Sequence, residues 1–200
     1  VVEKLDDLKV LTQRIGSVDI LLFDFDGTLV NTDYANFLSY KMAIEKVKKT
    51  KLYLTFKSGE RVTREIIRML VPSISEEDYM EIVKIKENLY PDYLHETKLK
   101  FMAASILDVF SDKERVLITN SRKERASMVL QWHQLIDKID RCFYREDMAS
   151  GINKFQSVLS NLRVSASSVV VFENDESEIE KAISEGIPTE NIFRAAHNVT

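Results

Sequence analysis

Apolar residues along this chain fall into two alternating patterns. Short unbroken runs occur at Ile20, Leu21, Leu22, Phe23 and Phe25, at Val116, Leu117 and Ile118, and at Val169, Val170, Val171 and Phe172. Runs of this kind predict strands buried on both faces, as in a parallel sheet. Two further strands are expected over 139–144 and 191–195. Stretches with helical spacing separate them, over 99–110, 122–133, 155–162 and 176–184. This rhythm of helix and strand predicts an α/β fold with a doubly wound parallel sheet. One interval breaks it. From Asp33 to Thr97 no strand pattern occurs, and helical periodicity runs through Tyr34, Phe37 and Leu38 to Met42, Ile44 and Val47, then through Val62, Ile66, Ile67, Met69 and Leu70. A third helix begins at Ser75, which makes a capping pair with Asp78, and runs through Tyr79, Ile82, Val83 and Ile85 until Pro91 bends or ends it. Residues 33–97 therefore read as a helical lobe inserted into a core made of 1–32 and 98–200. Leu5, Leu8, Leu11 and Ile15 share one face of a further helix at the start.

The chain's 200 residues are enough for a sizeable core with such a lobe. A net charge of −4 argues against nucleic acid as a main partner. The charge is uneven, however. Residues 41–68 are rich in Lys and Arg, whereas 76–96 are mostly acidic. The basic part either draws anionic phosphate esters or is a solvated helix face. No segment reaches the length of a membrane span, and none has the pattern of a signal peptide. The single cysteine, Cys142, excludes an internal disulfide, suits a reducing cytoplasm, and reads as a small buried apolar residue. His95, His133 and His197 lack metal-ligand spacing.

Candidate chemistry concentrates where the first apolar run ends. Asp24 and Asp26 follow it, and Gly27 supplies a residue suited to a sharp turn. Ligands of open α/β sheets sit beyond the carboxyl ends of strands. Carboxylates there are costly unless a cation or a substrate partners them, and a divalent metal would answer that cost. Asp24, Asp26, Gly27, Thr28 and Leu29 match at every position the signature D-x-D-G-T-[LV] of the haloacid dehalogenase-like superfamily, which this chain resembles. The resemblance implies a Rossmann-like core with an inserted α-helical cap that closes over the catalytic loop, excludes water and selects the substrate. It implies that Asp24 attacks phosphorus to form an aspartyl-phosphate, with Mg2+ relieving charge repulsion. Asp26 would act as general acid and then general base. Members that cleave carbon–halogen bonds lack an acid at that position, so Asp26 favours phosphoryl transfer. Gly27 and Thr28 join the substrate-binding loop.

Three later segments resemble the remaining motifs. Thr119, at the end of the Val116 run, matches the hydroxyl that holds a phosphoryl oxygen, with Asn120 beside it. Ser121 and Glu124 also read as a capping box for the next helix. Lys154 stands where the family has a lysine that neutralises the nucleophile; Phe155 follows it where relatives often have Pro. Lys138 is a poorer candidate for that role. In Phe172-Glu173-Asn174-Asp175, Asn174 takes the place of the acid that usually binds magnesium, and Glu173 matches the acid of an F-E-D-S variant. The expected metal ligands are thus Asp24, Asp26, Glu173 and Asn174. Asp175 and Glu178 either restore negative charge or cap the following helix. Within the lobe, Val62-Thr63-Arg64-Glu65 resembles a β-phosphoglucomutase segment whose arginine holds the substrate's remote phosphate, which makes Arg64 a candidate. The resemblance as a whole implies a Mg2+-dependent hydrolase of a small phosphorylated metabolite. A phosphomutase, or a binding protein with weakened catalysis, is the alternative.

Overall fold

The computed structural model of this chain describes residues 12–16, 20–57 and 63–195. In chain order its elements are β1 (Ile20–Phe23), β2 (Val30–Asn31), α1 (Asp33–Lys48), α2 (Glu65–Leu70), α3 (Glu76–Leu89), β3 (Lys98–Leu99), α4 (Phe101–Val109), β4 (Glu114–Ile118), α5 (Lys123–Trp132), β5 (Arg141–Phe143), α6 (Lys154–Leu162), β6 (Val169–Glu173), α7 (Glu176–Ser184) and β7 (Ile192–Arg194). Residues 12–16 are also helical. The chain divides into two compact units, Val1–Leu29 with Leu99–Thr200, and Val30–Lys98.

The first unit is built on a five-stranded sheet in the order β5-β4-β1-β6-β7, and every pairing is parallel. The chain winds outward from β1 through β4 to β5, then returns to β6 on the other side of β1 and continues to β7. Strand order thus reverses between β1 and β6, which opens a crevice at their carboxyl ends. Register fixes what meets there, because Phe23 pairs with Leu117 of β4 and with Phe172 of β6. The residues that follow each strand emerge at one end of the sheet.

Central position explains why β1 is apolar throughout. Ile20 and Leu22 enter a core with Val116 and Ile118 of β4, Val169 and Val171 of β6, Phe155 and Val158 of α6, and Ala182 of α7. Alternation sends Leu21 and Phe23 to the opposite face, where Phe23 stacks on Phe172 with ring centroids 4.7 Å apart. Each such side chain, fully buried, contributes about 1.5–3 kcal/mol.

Several expected boundaries move. The strand ends at Phe23, and the buried Phe25 instead closes a turn, its carbonyl accepting from the N–H groups of Thr28 and Leu29 at 3.3 and 3.1 Å. The expected 139–144 strand is only Arg141–Phe143, and a 3-10 turn over Ile136–Lys138 precedes it. Since β5 is an edge strand, Cys142 is half-exposed rather than buried. The capping box at Ser121 is not formed. α5 begins at Lys123 behind Arg122, with no side-chain cap, and the Ser121 hydroxyl is used elsewhere.

In the second unit, α1 supplies Phe37, Tyr40, Ala43 and Ile44 to a core completed by Ile67 of α2, Ile74, and Ile82 and Val83 of α3. The Ser75 side chain accepts from the Asp78 N–H and three acids fill the first turn of α3, as a helix N-terminus favours. Pro91 lies in the first turn of a 3-10 helix, Tyr90–Glu96, that takes over where α3 ends. Leu5, Leu8, Leu11, Val62 and His197 lie outside the described residues.

Because Leu22 is fully buried in the central strand, Leu22→Ala is expected to cost about 2–5 kcal/mol. Urea unfolding followed by circular dichroism would read this as a lower midpoint.

Candidate active site

The β1–β6 ladder continues one step past the strand, since the Asp24 N–H donates to the Phe172 carbonyl at 2.9 Å. That bond fixes the Asp24 backbone at the mouth of the crevice. Its carboxylate faces Lys154, the first residue of α6, whose Nζ lies 2.7 Å from Asp24 Oδ1 and 2.6 Å from Glu173 Oε2. Glu178 of α7 stands 3.8 Å from the same ammonium. Lys154 is only 2% exposed. An ammonium so deep is tolerable because carboxylates from three elements surround it. Helix α6 holds it there through consecutive residues: Asn153 caps the helix, accepting from the Gln156 N–H at 2.9 Å, and Phe155 anchors it in the core.

Burial pushes the Asp24 carboxyl up to about 7, and the neighbouring Glu173 charge adds to the rise, whereas Lys154 opposes it. Burial acts to lower the Lys154 ammonium, but Asp24 and Glu173 outweigh it and hold the group above its ordinary value. Lys154 therefore keeps its proton, and the protonation that varies near neutrality is that of Asp24.

Asp26 is held differently. Arg125 of α5 donates from Nη1 to Asp26 Oδ1 at 3.2 Å and from Nη2 to Oδ2 at 2.9 Å, and the Ser121 hydroxyl donates to Oδ2 as well. Arg125 also donates to the Ser121 oxygen. Neither Ser121 nor Arg125 was expected at the site from sequence. Spacing gives little signal for them, since Ser121 precedes the helix that carries Arg125.

Gly27 turns the chain with φ of 90°, and a Cβ there would lie 2.6 Å from the Asn174 side-chain nitrogen. Only glycine suits both constraints. Beside it the buried Thr28 hydroxyl donates to Asn174 Oδ1 at 3.0 Å, so Thr28 orients Asn174. The Thr119 N–H donates to the Phe143 carbonyl at 3.0 Å, and its hydroxyl oxygen accepts from the Ser121 N–H at 3.0 Å. That leaves the Thr119 hydroxyl proton to donate. Asn120 follows on an exposed turn. Asp175 caps α7, accepting from the Ser177 and Glu178 N–H groups. Lys138 lies at the surface, paired with Asp108 at 2.7 Å. Arg64 belongs to the other unit, just before α2.

Among the described residues, no group of three His, Cys, Asp or Glu is arranged to hold a metal ion. Glu173 gives one oxygen to Lys154 and the other to the N–H groups of Asn174 and Asp175, at 2.8 and 3.0 Å. The Asp26 carboxylate is engaged by Arg125 and Ser121. Asp24 Oδ2 and the second lone pair of Asn174 Oδ1 remain as hard oxygen donors. Such a partial shell fits Mg2+, which takes one or two carboxylates and completes its octahedron with water and phosphate oxygens.

The sequence matches the haloacid dehalogenase-like hydrolases over residues 21–192, and the chain belongs to that family. It is accordingly an enzyme of the hydrolase class. No curated protein matches it in sequence. Solved structures with the same fold include a predicted phosphoglycolate phosphatase from Haemophilus somnus, with a TM-score of 0.70 at 14% identity over 86% of this chain and 84% of that one. A family IA hydrolase from Entamoeba histolytica gives 0.63 at 24% identity, covering 84% and 81%. A candidate β-phosphoglucomutase from Thermotoga maritima gives 0.64 at 20% identity, covering 91% and 87%.

The raised Asp24 carboxyl makes stability depend on pH. The folded chain binds this proton more tightly, at about 7, than the unfolded chain does at the ordinary 3.8. The group's contribution is therefore complete below about pH 4 and is lost as pH rises through about 7. Urea midpoints of wild type and Asp24→Asn, measured at about pH 5 and about pH 8, should show the variant gaining on wild type at the higher pH. A difference that does not change with pH would contradict the shift.

Proposed function

We propose that this protein is a Mg2+-dependent phosphomonoester hydrolase of the cytoplasm, acting on a small phosphorylated metabolite through an aspartyl-phosphate. The observation that carries this reading is the buried contact of Lys154 with Asp24 at the end of the central strand, with a second carboxylate, Asp26, two residues on. Asp24 is the nucleophile. One of its oxygens is held by Lys154, which leaves Oδ2 to attack phosphorus while the bond to the leaving oxygen breaks. Lys154 offsets negative charge as the phosphoryl group approaches, and the Thr119 hydroxyl donates to a phosphoryl oxygen. Asn120, with the backbone of Gly27 and Thr28, lines the place where that group sits.

Asp26, once protonated, supplies the proton that the leaving alcohol needs. It then takes one from the water that attacks the aspartyl-phosphate, which releases inorganic phosphate and restores Asp24. Ser121 and Arg125 fix the orientation of Asp26, and it must loosen from the guanidinium before it can act as an acid. Mg2+, held by Asp24 and Asn174, would supply Lewis-acid stabilisation of the phosphoryl charge. Residues 33–97 serve as the cap that selects the substrate, and Arg64 engages a remote anionic group on it.

The reading is tested by phosphate release from p-nitrophenyl phosphate and from a panel of sugar and nucleotide monophosphates, with Mg2+ and with chelator. Release should need Mg2+ and vanish in Asp24→Asn. Asp26→Asn should be slower by about 10²–10⁴, the usual value of a general acid or base. Appreciable turnover by Asp24→Asn would remove Asp24 from the nucleophile's role.

A further inference from the structure

We propose that this site takes up its divalent cation together with a phosphate group, not ahead of it. The inference rests on the hydrolase reading and deepens it, and it follows from how the charges around Asp24 are already spent. Five acids gather at the carboxyl end of the sheet, and four of them have a cation against them. Asp24 and Glu173 share Lys154 at 2.7 and 2.6 Å. Glu178 lies 3.8 Å from that ammonium and 2.6 Å from Lys181. Asp26 is bound by both terminal nitrogens of Arg125. Asp175 is turned into the cap of α7. Asn174, the remaining oxygen donor, carries no charge and is itself oriented by Thr28.

A divalent cation entering this shell alone finds one carboxylate oxygen, Asp24 Oδ2, on a group whose charge an ammonium already offsets. Little Coulomb energy then repays the loss of the ion's water. A phosphate group changes the balance in both directions. It brings further negative charge and oxygen ligands of the kind Mg2+ prefers. The cation, in turn, relieves repulsion between phosphate and Asp24. By linkage, each must then raise the other's affinity by the same factor.

The test titrates this chain with Mn2+, read by the free-ion electron paramagnetic resonance signal, without and with saturating inorganic phosphate; phosphate's own binding of Mn2+ is subtracted from a protein-free series. Expected is at least a tenfold gain in Mn2+ affinity when phosphate is present. Asn174→Asp adds the missing charge, so it should bind Mn2+ at least tenfold more tightly than wild type in the absence of phosphate, with a smaller gain on adding it. Equal Mn2+ affinity with and without phosphate in wild type would overturn the proposal, as would no Mn2+ binding in either state. The wild-type comparison decides the matter even if the variant does not fold. The readout needs no turnover. Failure of the hydrolase reading would appear separately, as absence of phosphate release from every ester.

Discussion

The organisation of the larger unit depends on one buried ammonium. Lys154 brings together the ends of β1 and β6 and the first turn of α7, because Asp24, Glu173 and Glu178 all lie within 4 Å of it. Without that cation, the acids at the mouth of the crevice would repel one another in a setting of low polarity. The lysine can reach them because of its neighbours in sequence. Asn153 starts α6 and Phe155 seats the helix in the core beneath the sheet, so the direction of the Lys154 side chain is fixed from both sides. Packing and site chemistry are therefore one arrangement, and its cost is the raised proton affinity of Asp24.

Elements with a dense apolar signal were legible in the sequence. β1, β4 and β6 each have a long buried run, and the alternation with helices gave the parallel order. Strand β5 was overextended because it lies at the edge of the sheet, where its three residues leave a weak signal and Ile139 imitates a longer run. Helix α3 was legible to within a residue, since Ser75 and Pro91 mark its limits through local chemistry that does not need the rest of the fold.

The site divides along the same line. The positions of Asp24, Asp26, Thr119 and Lys154 could be read because each follows a strand or opens a helix. What could not be read was how side chains from separate elements are spent on one another. Ser121 resembled a helix cap, because its hydroxyl was weighed only against the nearest backbone; in the fold the stronger partner is a carboxylate 95 residues earlier. Glu173 resembled a metal ligand by position, yet the N–H groups of its own loop and Lys154 take both its oxygens. Hydrogen-bond competition across long sequence separations is invisible to spacing.

The two aspartates of the first motif also show how chemistry can be divided between identical groups. They are two residues apart and equally buried, at 6% exposure each. Burial disfavours ionisation of Asp24, and the charge of Glu173, the acid with which it shares an ammonium, adds to this. Asp26 has a guanidinium that grips both its oxygens, together with a hydroxyl donor. In the resting chain, therefore, the proposed nucleophile has a raised proton affinity, and the proposed acid has both its oxygens already engaged. Productive chemistry needs Asp24 ionised and Asp26 released from the guanidinium. A cation arriving with phosphate is suited to the first of these, because its charge favours the ionised form of Asp24. The same event that completes the metal's ligand shell would then set Asp24 in its working state.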